Sequence, residues 1–259
     1  MKNFGRLYLF IVFCFFATNS SAQLKVIISG GLAAAYQEIL PEFVSSTGIE
    51  VETGRGASVG DSPSTIPNQL KRGVEADVVI LARQGLDEIS ISGLLQSNSD
   101  IDLAVSTIGM VVQKGNPKPD ISTPAKFRSA LLNARKVAVS SSISGRYLVN
   151  ELFHELGIST QMESKTLTTG AVAVGEGKAD IGMQQVSELL PIQGADFVGR
   201  LPEELQYTTT FSAAIVKTTT RSEAARLLIE FLASAEAAEV INRWAVSYTH
   251  LTLPTIYSV

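Results

Sequence analysis

Residues that carry nucleophilic or metal chemistry are scarce in this sequence. Of its 259 residues one is cysteine, Cys14, and two are histidine, His154 and His250. A lone cysteine closes no disulfide within the chain. The patterns H-E-x-x-H, C-x-x-C and the P-loop are all absent. A Ser-His-Asp arrangement would rest on His154, between Phe153 and Glu155, where a helix-surface histidine is the simpler reading. Asp77 precedes an apolar run instead of ending one, and no acidic partner suggests itself. The expectation is a protein that is not an enzyme, with no catalytic residue, no metal and no cofactor.

An excess of positive charge is lacking too. Lys and Arg number 21 against 25 Asp and Glu, a formal charge of −4. Residues 1–22 have the plan of a secretory leader. Lys2 and Arg6 precede apolar residues 7–17, a run too short to cross a bilayer, and Ser20-Ser21-Ala22 follows. Cleavage before Gln23 would remove Cys14, two basic residues and no acidic ones, taking the charge to −6. Phe13 is too large to precede a lipid-modified cysteine, so release into a periplasm is expected rather than anchoring. A nucleic-acid partner needs a basic footprint and is excluded. No other apolar run reaches membrane-spanning length. Residues 246–259 (VSYTHLTLPTIYSV) break the preceding helical pattern and resemble the translated end of a sequencing adaptor. A non-native tail is expected there, a true β-strand being the other reading.

What the sequence does have is strands alternating with helices. Residues 24–28 are a short apolar run, after which Leu32, Ala35, Tyr36, Ile39, Leu40, Phe43 and Val44 recur on one helical face. Pro41 lies inside that helix, so a break near residues 37–40 is expected. Residues 50–53, 77–82, 136–140, 179–183, 197–201 and 207–216 read as strands. The continuous DVVILA at 77–82 marks one buried on both faces of a parallel sheet. Residues 103–114 read as a strand pair or one bent strand. Helix starts are signalled by Thr123-Pro124, by the capping-box spacing of Thr220 and Glu223, and by Ser234. Leu148, Leu152 and Leu156 mark another helix, closed by Gly157. The order specifies an α/β architecture.

Glycine and hydroxyl residues gather at the strand-to-helix junctions: Ser29-Gly30, Gly56-Ala57-Ser58, Ser144-Gly145 and Thr169-Gly170-Ala171. In open α/β sheets ligands lie beyond the carboxyl ends of the strands. A helix that starts there offers unpaired N–H groups and a partial positive charge. Several such turns facing one crevice would hold an anion on neutral donors. Gly and Ser also occur in ordinary turns, so each junction alone admits a purely structural reading.

Together, Ser29-Gly30, GAS at 56–58, Ile66-Pro67-Asn68, ADVVILA at 76–82, KPDISTP at 118–124, SGRYL at 144–148, GKADIGMQQVSE at 177–188 and LIEFLAS at 228–234 carry a resemblance. The chain resembles the periplasmic solute-binding proteins of bacterial ABC importers, in the branch that holds the molybdate-binding proteins. The resemblance spans residues 24–245. It implies a type II periplasmic binding fold: α/β, two lobes, each a mostly parallel sheet flanked by helices, with the ligand in the cleft between them. The implied lobes are residues 24–103 with 207–245, and residues 104–206, crossing near 104–108 and 207–211. The implied protein is a monomer that captures a small anion, a molybdate- or tungstate-like oxyanion, and hands it to a membrane permease. Carried over by position, the ligand site comprises Ser29, Gly30, Ala57, Ser58, Ser144, Gly145, Arg146, Gly170, Ala171 and Gln185. Gln185 stands where molybdate binders have a tyrosine, and Arg146 is foreign to a site of neutral donors. A small carboxylate is therefore the competing ligand. A secreted hydrolase is the alternative from another functional class.

Overall fold

Alternation along the first strand decides how the molecule is layered. In the computed structural model, which describes residues 23–244 and the backbone of Ser247–Tyr248, β1 (Leu24–Ile28) sends its side chains into two separate cores. The expected leader, Cys14, His250 and most of residues 246–259 lie outside the described residues. After β1 come α1 (Gly30–Thr47), β2 (Val51–Arg55), α2 (Ile66–Lys71), β3 (Val78–Ala82), α3 (Arg83–Ile91) and the long β4 (Ile101–Gln113). The middle of the chain adds α4 (Pro124–Asn133), β5 (Val137–Val139), α5 (Ile143–Tyr147), a π turn over Leu148–Leu152, α6 (Phe153–Glu155), α7 (Ser159–Glu163) and β6 (Thr166–Leu167). It continues through α8 (Val172–Gly175), β7 (Ile181–Gln185), α9 (Val186–Leu189) and β8 (Ala195–Arg200). The chain ends on β9 (Thr208–Ile215), α10 (Ser222–Leu232), α11 (Ala235–Arg243) and β10 (Ser247–Tyr248).

The first lobe is built on the strand order β2-β1-β3-β9-β4, the second on β4-β7-β5-β6 with β8 also paired to β4. Pairing is parallel from β2 to β3 and among β7, β5 and β6, while β9 and β4 run antiparallel to their neighbours. Strand β4 belongs to both sheets. Its residues up to Thr107 pair with β9, and from Ile108 onward it pairs with β7. It is one bent strand, with register shifts at Asp102/Ala104 and Met110/Val111, and not a strand pair.

Each sheet is covered on both faces, as a parallel sheet requires. Val26, Ile28, Val78 and Ile80 pack with Tyr36, Ile39, Leu228 and Ile241 of α1, α10 and α11, whereas Ile27, Val79 and Leu81 meet Leu70, Leu86 and Ile89 of α2 and α3. In the second lobe Met110, Val137 and Met183 pack against Phe127, Leu148, Phe153 and Met162. Val111 and Ala138 meet Val174 and Leu189 on the opposite face.

Local signals were read with mixed success. Thr123 caps α4, its hydroxyl accepting from the Lys126 N–H at 3.3 Å, and Ser234 caps α11 in the same way at 3.2 Å. No capping box precedes α10, because Arg221 is its N-cap and Thr219, not Thr220, accepts the Arg221 N–H. The expected break in α1 is absent. Pro41 lies on the exposed side, where the carbonyl freed at Gln37 faces water, and the helix runs on unbroken. Asp77 is structural: it accepts from the Lys25 N–H, the Thr219 hydroxyl and the Arg221 guanidinium.

Candidate functional site

The carboxyl ends of the strands from both sheets open on one cleft of about 290 Å³. Ser29 and Gly30 enter it after β1, residues 56–58 after β2 and Ala82 at the end of β3. From the second sheet come residues 140–144 after β5, residues 168–170 before α8, and Gln184, Gln185 and Glu188 around the β7–α9 turn.

Serine hydroxyls provide most of its donors. The Ser29 N–H is held by the Ile80 carbonyl at 2.8 Å, while its hydroxyl is enclosed and has no partner. It stands at the N-cap of α1, whose first turn no side chain caps. The Ser58 hydroxyl accepts from the Ala82 N–H at 2.9 Å, which leaves its proton to donate. Ser140 accepts from the Gly145 N–H at 3.2 Å and lies 3.1 Å from the Ser144 hydroxyl. Gly145 is required because a methyl group there would stand 1.7 Å from the Ser140 carbonyl oxygen. It closes the serine turn from behind and does not line the cleft.

Of the ten residues carried over from the resemblance, Ser29, Gly30, Ala57, Ser58, Ser144, Gly170 and Gln185 line this cleft. Gln185 is buried and spends its amide N–H on Thr209 at 2.8 Å, so it presents an oxygen, which has no partner. The other three do other work. The Ala171 N–H donates to Gln184 Oε1 at 2.9 Å and is not free for a ligand. Arg146 is exposed and lines a neighbouring groove with Gly60, Asp61 and Glu88. Gly145 packs as described. Arg83 also faces elsewhere, paired with Asp100 at 2.7 Å and with Asp102. Tyr147 stacks on Tyr207 and donates to the Leu205 carbonyl, outside the cleft.

Glu188 was missed, and it is the one acidic side chain in the lining. It sits on α9, one turn past Gln184, and its carboxyl lies against the first turn of α1. A methyl group on Gly30 would stand 1.9 Å from Glu188 Oε1. Removal from water pushes its pKa up to about 7, against the opposing pull of the Gln184 hydrogen bond and the Arg55 charge. Gln184 can only donate to it, since the oxygen of that amide is taken by Ala171. Glu188 also lines a second cavity, shared with Arg55, Gln184 and Trp244, so it stands in the wall between two spaces. Its signal lay inside GKADIGMQQVSE, a stretch that pattern reading matched as a whole without asking what its last residue does.

The two sheets meet across this wall. The Ser187 hydroxyl donates to the Gly31 carbonyl at 2.5 Å, tying α9 to α1. Gln84 donates to the Tyr207 hydroxyl at 2.6 Å. Among the described residues no group of His, Cys, Asp and Glu is placed to hold a metal ion, and no helix is long and apolar enough to cross a membrane.

Known proteins sharing this frame differ in what they do. An aconitate isomerase of a Pseudomonas species is 39% identical over 230 residues, 87% of this chain and 88% of that protein. The molybdate-binding protein of Mycobacterium tuberculosis is 24% identical over 87% of this chain and 85% of its own. The periplasmic molybdate-binding protein of Azotobacter vinelandii superposes with a TM-score of 0.71 at 18% identity, covering 88% of this chain and 99% of that one. The first of these relatives is an enzyme. It overturns the expectation, drawn from scarce histidine and cysteine, that no enzymatic activity belongs to a chain of this kind. Residues 24–244 match the family model for bacterial extracellular solute-binding proteins, and this chain belongs to that family.

Proposed function

We propose that the cleft binds a small unsaturated polycarboxylate of the aconitate type and interconverts its geometric isomers, on the extracytoplasmic side of a bacterial membrane. The observation that carries this reading is the cleft's size together with its donors. About 290 Å³ is the room of about ten waters at their liquid volume. A tetrahedral oxyanion would leave most of it wet, whereas a six-carbon tricarboxylate occupies more of it and spans it from lobe to lobe. Hydroxyls from Ser29, Ser58 and Ser144 reach the space from both lobes, as several carboxylates on one molecule require. The 39% identity to an aconitate isomerase over most of both chains supports the same substrate class.

The two lobes, taken as residues 24–103 with 207–245 and residues 104–206, close over the ligand about the shared strand β4 and exclude water from it. A thermal-shift panel tests the reading. It sets cis- and trans-aconitate and saturated tricarboxylates beside molybdate, tungstate and sulfate. Ligand at about 100 times its Kd adds roughly 2.7 kcal/mol, which for a chain of this size raises the midpoint by roughly 5–10 °C. The rise is expected with the unsaturated acids. A rise confined to molybdate and tungstate overturns the reading in favour of oxyanion capture for a permease.

A further inference from the structure

The geometry assigns to Glu188 the role of the acid–base residue that moves the proton, and to Gln184 the role of positioning it. This inference rests on the proposed isomerisation and names the group that performs it.

Changing the geometry of a carbon–carbon double bond needs that bond to lose its double character for a moment. In an aconitate-type acid the means lies next to the alkene, as a CH2 group that is both allylic and adjacent to a carboxylate. A base takes one proton from this CH2. The C–H electron pair spreads over the three-carbon unit and its carboxylates. The proton then returns to the far carbon, the former alkene CH, and the double bond has moved one place. The two ends of such a molecule carry the same groups, so the shifted product has the same constitution and can hold either geometry. One proton leaves and one returns, and neither oxidant, reductant nor cofactor is consumed.

The step asks for a single group that accepts and donates a proton and faces the ligand. Among the described residues lining the cleft, Glu188 is the only carboxyl. The serines that surround it are far too weakly acidic for this exchange at neutral pH. Its carboxyl is fixed from two sides, by the Gln184 amide and by the bare Cα of Gly30, where any side chain would collide with Oε1. The Gln184 amide is locked in turn, because its oxygen accepts the Ala171 N–H at 2.9 Å. The same desolvation that holds its pKa at about 7 leaves both protonation states populated near neutrality. Donors on Ser29 and Ser58 face the same space from the other lobe and would carry the substrate's carboxylates.

The test follows conversion of trans-aconitate by proton NMR in D2O, with wild type, Glu188→Gln and Gln184→Leu. Ligand-induced thermal shift runs in parallel to report folding and binding. General acid–base catalysis contributes on the order of 100- to 10,000-fold. Glu188→Gln is therefore expected to lose at least about 100-fold in rate while keeping its melting transition and its thermal shift. Wild type is expected to place deuterium at the CH2 or alkene CH. Gln184→Leu removes a hydrogen bond to the charged form, and is expected to move the rate's pH midpoint upward while Glu188→Asp retains partial activity. Wild-type turnover with Glu188→Gln active within a few-fold overturns the role of Glu188 and leaves the proposed function standing. Wild-type inactivity on both isomers overturns both. Isomerisation by wild type in which a deuterium placed at the CH2 stays on its own carbon, neither exchanged with solvent nor moved to the former alkene CH, also overturns the proton-transfer role.

Discussion

Gly30 and Glu188 touch across the lobe interface, so closely that one methyl group on the glycine would stand 1.9 Å from Glu188 Oε1. A strand-to-helix turn of this kind is a ready anion site, and here it receives a carboxyl supplied by the chain itself. Gly30→Ala is expected to evict that carboxyl, since a glutamate has room to swing aside more readily than α1 has to move. The variant should keep its fold, lose about 1–3 kcal/mol at most from overpacking, and lose isomerisation by more than tenfold. Chemical denaturation beside a turnover assay checks both parts.

Glu188 makes stability depend on pH in a stated direction. Its folded pKa, about 7, lies above the ordinary 4.5, so the folded state holds the proton more tightly than the unfolded one. This contribution is fully present below about pH 4.5 and is lost as pH rises through about 7. Wild type is expected to fall by a few degrees in Tm relative to Glu188→Gln over that interval. Melting curves of both proteins at matched pH measure the difference.

Ser29 separates binding from folding. Its hydroxyl is enclosed and unpaired. An unsatisfied buried hydroxyl costs free energy, so Ser29→Ala is expected to leave stability unchanged or slightly raised. If the ligand is that hydroxyl's partner, as proposed, ligand affinity should fall about tenfold. Calorimetric titration and a denaturant curve should move in opposite directions.

Ser187 is a latch. Its hydroxyl donates to the Gly31 carbonyl at 2.5 Å, joining α9 of one lobe to α1 of the other. Ser187→Ala removes one donor from a carbonyl that α1 still bonds internally, at a cost of about 0.5–1.5 kcal/mol to the contact between α9 and α1. Apparent affinity should weaken by roughly two- to tenfold, with little change in turnover once ligand is saturating. Steady-state kinetics split the two effects as KM against kcat.

Much of this was legible in the sequence, and the reasons differ by element. The run DVVILA announced β3 because a strand covered on both faces needs no polar residue. Thr123-Pro124 and Ser234 announced helix starts because capping is local chemistry. The serine and glycine junctions pointed to the cleft because turns at strand ends face one side of an α/β sheet. What escaped was tertiary. Nothing near Ala171 in sequence says that its N–H is spent on Gln184, nor that Arg146 lies in a neighbouring groove instead of the cleft. Glu188 escaped for the same reason: it looks like one more helical acid until α1 is laid against it and Gly30 lets it close. Scarcity of histidine and cysteine argues against catalysis only while carboxyls are left out, and a carboxyl with a raised pKa can also exchange a proton near neutrality.

The most direct measurement is a proton NMR time course on the purified protein with trans-aconitate as sole added solute. The cis isomer should appear and approach the same ratio that is reached when the reaction is started from cis-aconitate. If trans-aconitate binds, raises the Tm and is recovered unchanged after prolonged incubation, the isomerase account is contradicted and the cleft is a carrier's.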